Sequence, residues 1–173
     1  DEVYKEMLPL QINIHNRQEQ LRELLFKARG FIKESTAKSR ILLMMFLDSV
    51  DLFEQVMTTQ QDYRALHSYF KDGVVLEKFR LLIVETAVEL DKLGLVIQSG
   101  FPPRGNDMLT ERIAETEKSF VAYRDAHLTP ENLEGFISLR HVLNSIKDIA
   151  ERIKRLRRYG TYSSEAGREA KPD

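Results

Sequence analysis

The sequence predicts an all-α fold, a helical bundle of five long helices plus one short helix. Three observations carry that reading. Apolar residues recur at steps of three, four and seven, the period of a helix with one buried face. The 5 prolines stand only at Pro9, Pro102, Pro103, Pro130 and Pro172, so helices can run unbroken over the long stretches between them. No segment alternates apolar and polar residues as a half-buried strand does, and no self-similarity of solenoid length is visible.

The elements follow in chain order. Ile14, Leu21, Leu25, Ala28 and Ile32 share one face of a helix over about residues 10–34. Ser35 or Thr36 caps a second helix, which runs to about Thr59 with Phe46, Val50, Phe53 and Met57 on one stripe. Its stretch Ile41 to Leu47 is apolar all round, which predicts a central helix touched from several sides. A short third helix covers Asp62 to Phe70. After a break at Asp72-Gly73, a fourth runs to Ser99 with Leu76, Ile83, Ala87, Leu90, Gly94 and Ile97 in register. The loop Gly100 to Asn106, rich in Pro and Gly, separates it from a fifth helix over about Asp107 to Ala126, which turns Leu109, Ile113, Phe120 and Tyr123 inward. Thr129-Pro130-Glu131 then supplies a cap, a first-turn proline and an early acid for a sixth. That helix reaches Arg158, with Leu139, Leu143, Ile146, Ala150 and Ile153 on its core face and Val142, Ile149 and Leu156 beside them. The composition after Gly160 predicts a disordered tail over 161–173, behind a single domain over 1–160.

Composition narrows the function. The 26 Lys plus Arg and 27 Asp plus Glu nearly cancel, so no overall field draws the chain to nucleic acid, and none is expected as a partner. With 0 Cys there are no disulfides, thiolate nucleophiles or Cys-based zinc sites. The longest apolar run falls far short of the roughly 18 to 20 residues that cross a bilayer. The opening at Asp1, without initiator Met or signal segment, reads as a piece excised from a longer protein.

No catalytic, cofactor-binding or metal-binding residue is expected. Bundles that hold two metals carry Glu-x-x-His pairs, whereas His15, His67, His127 and His141 have no Glu three residues before them and no His four residues on. The acids Asp107, Glu111 and Glu115 share a helical face and suit a cation, although acids near a helix N-terminus are favoured there without one. Phosphate-cradling glycine loops and the G-x-S-x-G elbow are missing. The expectation is a nonenzymatic chain.

Two charged features remain. Asp48, Asp51 and Gln55 make a polar strip on the apolar second helix, and a buried acid there needs a cation. A structural ion pair of a buried Asp48 or Asp51 with an Arg or Lys of another helix is expected, such as Arg40 or Arg140, with Arg140 the stronger candidate because it interrupts an apolar run. At the end of the sixth helix, Arg152, Lys154, Arg155, Arg157 and Arg158 suit the negative end of the helix dipole, or anionic lipid headgroups or an acidic partner.

The stretches KESTAKSRILLMMFLDSVDLFEQVM at 33–57 and GFISLRHVLNSIKDIAERIKRL at 135–156 resemble the soluble helical region of the YccS/YhfK branch of the fusaric acid resistance (FUSC) family of bacterial inner-membrane proteins. The resemblance spans about residues 1–160. It implies the cytoplasmic domain of an exporter of aromatic or other organic acids, with an assembly or regulatory role. Its expected partners are the chain's own flanking transmembrane segments, a second copy in a homo-oligomer, and lipid headgroups. It carries over no binding residue. The alternative is a free helical adaptor or signalling module that binds cations in the manner of phosphate-uptake regulators.

Overall fold

The computed structural model describes residues 2–31, 37–58, 63–99, 101 and 108–169, with side chains over 5–27, 39–58, 64–99, 101 and 108–161. They form α1 (Glu2–Phe31), α2 (Ala37–Thr58), α3 (Tyr63–Tyr69), α4 (Val74–Ser99), α5 (Met108–His127) and α6 (Leu133–Glu169). No strand occurs among the described residues, and the fold is all-α. The expected caps Ser35 and Thr36, the start at Asp62, Gly100, residues 102–107 and the last four residues lie outside the described ones, as do the side chains of Ala28 and Ile32. The chain divides into two compact units, 1–50 and 51–173, and α2 passes from one into the other.

The first unit holds α1 and the first turns of α2. α1 starts eight residues before the expected position and carries Pro9 inside it. That proline is exposed, so water can satisfy the carbonyl that its missing N–H leaves without a donor. Two residues of the expected inward face are exposed, Ile14 and Leu21. The central position expected for the second helix is also corrected. No described side chain of α2 is buried, and Leu42, Met44 and Leu47 are exposed. A stretch that is apolar all round favours leaving water, but its pattern does not say which surface receives it.

The second unit is built on α4, α5 and α6, which pack against one another, with α3 against α6. α6 buries Phe136, Leu139, Val142, Leu143, Ile146, Ile149, Ala150, Ile153 and Leu156, which include every core residue its periodicity predicts. α5 buries Leu109, Ile113, Thr116 and Phe120. The face of α4 differs. Val75, Phe79, Leu82, Thr86, Glu89, Leu93 and Val96 turn inward, one residue round from the expected stripe. α4 is apolar on more than one side, so two stripes satisfy a helical period. The buried one includes a carboxylate, which pattern reading rejects and an ion pair permits.

Phe70, Phe79, Phe120 and Phe136 interlock edge to face at the centre of this unit, with centroids 5.0 Å apart for Phe70–Phe136, 5.8 Å for Phe79–Phe120 and 6.0 Å for Phe120–Phe136. The turn into α4 needs Gly73, whose φ of 68° is in the left-handed region. Beside it Asp72 accepts from the Val74 N–H at 3.3 Å and from the Tyr123 hydroxyl at 2.6 Å, fastening the turn to α5.

α3 meets α6 at a second glycine. A Cβ on Gly135 would lie 2.9 Å from Cβ, Cγ and Cδ2 of Tyr69. Because one of these atoms is the Tyr69 Cβ, the side chain cannot swing aside and the helices must part. Gly135→Ala is therefore expected to lower stability by about 1–3 kcal/mol despite the better helix propensity of Ala. A urea midpoint at or above the parent's would rule out this close approach.

Both ends of α6 are corrected. Thr129-Pro130-Glu131 forms a turn rather than the first helical turn. Asn132 closes it, its Oδ1 accepting from the Thr129 N–H at 2.8 Å and its Nδ2 donating to the His127 carbonyl at 2.9 Å. At the other end the helix passes Arg158 and Gly160 and continues to Glu169, through residues whose composition suggested disorder. Gly160 is buried, and its Cβ direction points at Val96 Cγ1, 3.6 Å away. Packing against α4 offsets the roughly 1 kcal/mol that Gly costs in a helix, and propagation beyond it adds one hydrogen bond per residue.

Candidate functional site

The charged core of the second unit lies where α4 and α6 run side by side. Glu89, at 2% exposure, stands among apolar neighbours on the inner face of α4. Its Oε1 accepts from Lys92 Nζ at 2.7 Å, and its Oε2 accepts from Nη2 of Arg157 on α6. Burial pushes the Glu89 carboxyl up, but the hydrogen bonds and charges of Lys92 and Arg157 outweigh it and hold the group below the usual carboxylate value.

Arg157 therefore does not belong to a uniform basic surface. Of the five cations singled out at this end, Arg152 donates to Asp51 at 2.9 Å, Lys154 donates to Glu151 at 3.0 Å and Arg157 is spent on Glu89. Arg155 is half-buried, and Arg158 is exposed. The sequence does not single it out: Arg157 has no acid three or four residues away on its own helix, as Arg158 has none, and burial against α4 is what separates the two.

Asp51 does meet an arginine of another helix, but the expected partner Arg140 and the expected burial of Asp51 are corrected. Asp48 is half-buried on α2. Asp51, with its side chain 52% exposed, meets Arg152. Arg140 instead donates to Glu117 Oε1 on α5 at 3.0 Å, which Lys147 reaches at 2.7 Å, and its guanidinium lies 4.7 Å from the centroid of the Phe120 ring. The hydrogen bond from Lys147, against a smaller desolvation, holds the Glu117 carboxyl below its ordinary value. An arginine inside an apolar run was a sound sign of an ion pair; its partner was decided by the packing of α6 on α5.

A groove of about 380 Å³ opens between α3, α4 and α6. Leu66, Phe79, Ile83, Leu139 and Val142 line it, and Glu77 and Arg80 lie on its wall. The Arg80 guanidinium donates twice to Glu77, at 2.7 and 2.8 Å, so the wall is polar but locally neutral. Such a groove suits an apolar body. The hydroxyls of Ser49, Thr58, Ser68, Thr86 and Thr161 donate to carbonyls of their own helices, in the way of structural residues and not of nucleophiles held by a base. Burial and a hydrogen bond to Asp72 push the Tyr123 phenol up to about 12, which keeps it a neutral donor.

No cluster of three or more His, Cys, Asp or Glu side chains that could hold a metal ion occurs among the described residues. In the acid ladder Glu115 pairs with Arg112 at 3.2 Å, Glu111 is exposed, and Asp107 lies outside the described residues.

A family model described as FUSC-like inner membrane protein yccS matches residues 2–153. The chain belongs to the FUSC-like family. That match covers both units and most of α6, and it joins the chain to a family of inner-membrane proteins connected with transport. No curated protein and no solved structure matches the chain. No helix among the described residues is long and apolar enough to cross a membrane.

Proposed function

We propose that this chain is the nonenzymatic cytoplasmic domain of a FUSC-like inner-membrane exporter of organic acids, aromatic ones above all, and that it serves assembly or regulation of the membrane helices flanking it. The observation that carries this reading is the combination of an inner-membrane family match over residues 2–153 with described helices that cannot span a bilayer. The apolar groove beside Phe79 and the neutralised Glu77–Arg80 pair are compatible with an organic ligand, and no residue is assigned to transport.

Because residues 1–173 hold 0 Cys, a cysteine placed among them reports their side of the membrane once any cysteine elsewhere in the full-length protein is replaced. In the full-length protein, Ala122→Cys and Asp125→Cys, both at exposed positions, are expected to react with an impermeant maleimide only after the inner membrane is opened. Labelling in cells with only the outer membrane permeabilised would place the domain in the periplasm and overturn the reading. For the transported class, cells that express the full-length protein should retain less benzoate than cells expressing it without residues 1–173. Equal retention would remove the role in export.

The basic end of α6 is proposed to meet anionic headgroups through Arg152, Lys154, Arg155 and Arg158, with Arg157 excluded because it is engaged inside the unit. Each cation at such a surface contributes on the order of 1 kcal/mol. Salt-sensitive sedimentation with phosphatidylglycerol vesicles, reduced by Arg158→Gln, is expected. Absence of binding by the parent chain at low salt would leave dipole stabilisation and the pairs named above as the whole role of these residues.

A further inference from the structure

The two ends of the second unit differ in charge. α4 and α6 run in the same direction, since Phe79 shares a groove with Leu139 and Val142, Glu89 meets Arg157, and Val96 lies against Gly160. α5 runs the opposite way, with Phe120 against Phe79 and the Tyr123 hydroxyl on Asp72. The last turns of α4, Phe101, the first turn of α5 and the cations of α6 therefore share one end. The turns around Asp72 and Leu128 share the other.

Large apolar side chains are exposed at both. The first end has Leu95, Ile97, Phe101 and Met108, at 65%, 44%, 59% and 45% respectively, and the other has Val74, Leu128 and Leu133. Charge separates them. At the first end, Leu93 to Ser99 and Phe101 carry none, while on the neighbouring stretch of α6 Arg155 is half-buried and Arg158 exposed. Arg157 is neutralised by Glu89 and Arg112 by Glu115, which leaves Glu111 as the exposed acid of the first turn of α5, with Asp107 before it in the sequence. The other end sets Asp72, Asp125, Glu131 and Glu134 against Lys71 and Arg124.

An anionic bilayer surface fits the first end and not the second. Such a surface attracts cations and repels carboxylates, and apolar side chains next to cations leave water for the boundary between headgroups and acyl chains. The match to an inner-membrane family puts a bilayer within the protein's surroundings. We propose that Phe101, together with Ile97 and Met108, enters the headgroup–acyl boundary of an anionic bilayer while Arg155 and Arg158 meet its headgroups. The proposal rests on the headgroup contact of the basic end of α6, and adds to it the apolar side chains that enter the lipid.

The 173-residue chain holds 0 Trp, so Phe101→Trp supplies a single reporter. With phosphatidylglycerol vesicles at low salt its emission should move to shorter wavelength and be quenched by lipid brominated on the acyl chains. Leu128→Trp, at the acidic end, should show neither effect. Phe101→Ala should weaken vesicle binding about tenfold through the loss of aromatic burial, with its circular dichroism spectrum unchanged. Vesicle binding without a shift in Phe101→Trp would overturn the insertion and leave the headgroup contact of α6 standing. Equal shifts in the two Trp variants would show adsorption without a preferred end and overturn the proposal. Binding to phosphatidylcholine vesicles as strong as to phosphatidylglycerol would overturn the selection by charge, and no binding by the parent chain would overturn both the insertion and the headgroup contact.

Discussion

Arg157→Gln is expected to lower the stability of the second unit by about 3 kcal/mol, whereas Arg158→Gln, one residue on, changes it by less than about 0.5 kcal/mol. The first leaves the Glu89 carboxylate buried with only Lys92 as partner, and removing one member of a buried pair typically costs about 3–5 kcal/mol. The remaining lysine places this case at the low end. The second removes an exposed cation that makes no hydrogen bond or ion pair among the described residues. Urea denaturation of both variants reads the difference, and equal midpoints would show that the Glu89–Arg157 contact does not hold α4 to α6. Replacing both partners, Glu89→Leu with Arg157→Met, should recover most of the loss, because well-packed apolar residues of similar volume tend to equal or exceed a buried ion pair.

The same carboxyl gives the unit an acid limit. Glu89 has a folded value below its unfolded one, so its contribution is present above the usual carboxylate range and is lost as the pH falls through the folded value. The parent chain should therefore lose stability progressively below about pH 4.5. Glu89→Gln should be less stable at pH 7 and show a shallower acid decline. An unchanged slope in that variant would assign the acid sensitivity to other carboxylates.

Phe120→Ala is expected to cost about 3–5 kcal/mol, a large share of the roughly 5–15 kcal/mol that holds a domain folded. At 1% exposure the Phe120 ring is enclosed by Phe79 and Phe136, and the Arg140 guanidinium lies over its face. Truncation removes these contacts together and leaves a cavity that three helices cannot collapse around independently. Phe101, 59% exposed, is the control, and Phe101→Ala should stay within about 0.5 kcal/mol of the parent. A loss below about 1 kcal/mol at Phe120 would mean that the aromatic cluster is not packed as described.

The sequence by itself determined the fold class, the existence of all six helices, the core faces of α5 and α6 and membership of the FUSC-like family. These are properties of local period and of long matching segments, and both are written along one dimension. The α6 stripe was legible because its apolar residues fall on one narrow face with charged residues opposite, leaving a single way to bury it. α4 offered two apolar stripes, and the period alone could not choose between them. Tertiary structure chose the one bearing Glu89, because Arg157 arrives there from 68 residues away. For the same reason the Asp51 and Arg140 partners became Arg152 and Glu117. Charge separates over only a few ångströms in an ion pair, whereas the sequence distances involved are 101 and 23 residues, so only the packing of one helix on another decides which charges meet. The end of α6 follows the same logic: the composition after Gly160 points to disorder, whereas α6 continues to Glu169 past a Gly160 that lies against Val96 of α4.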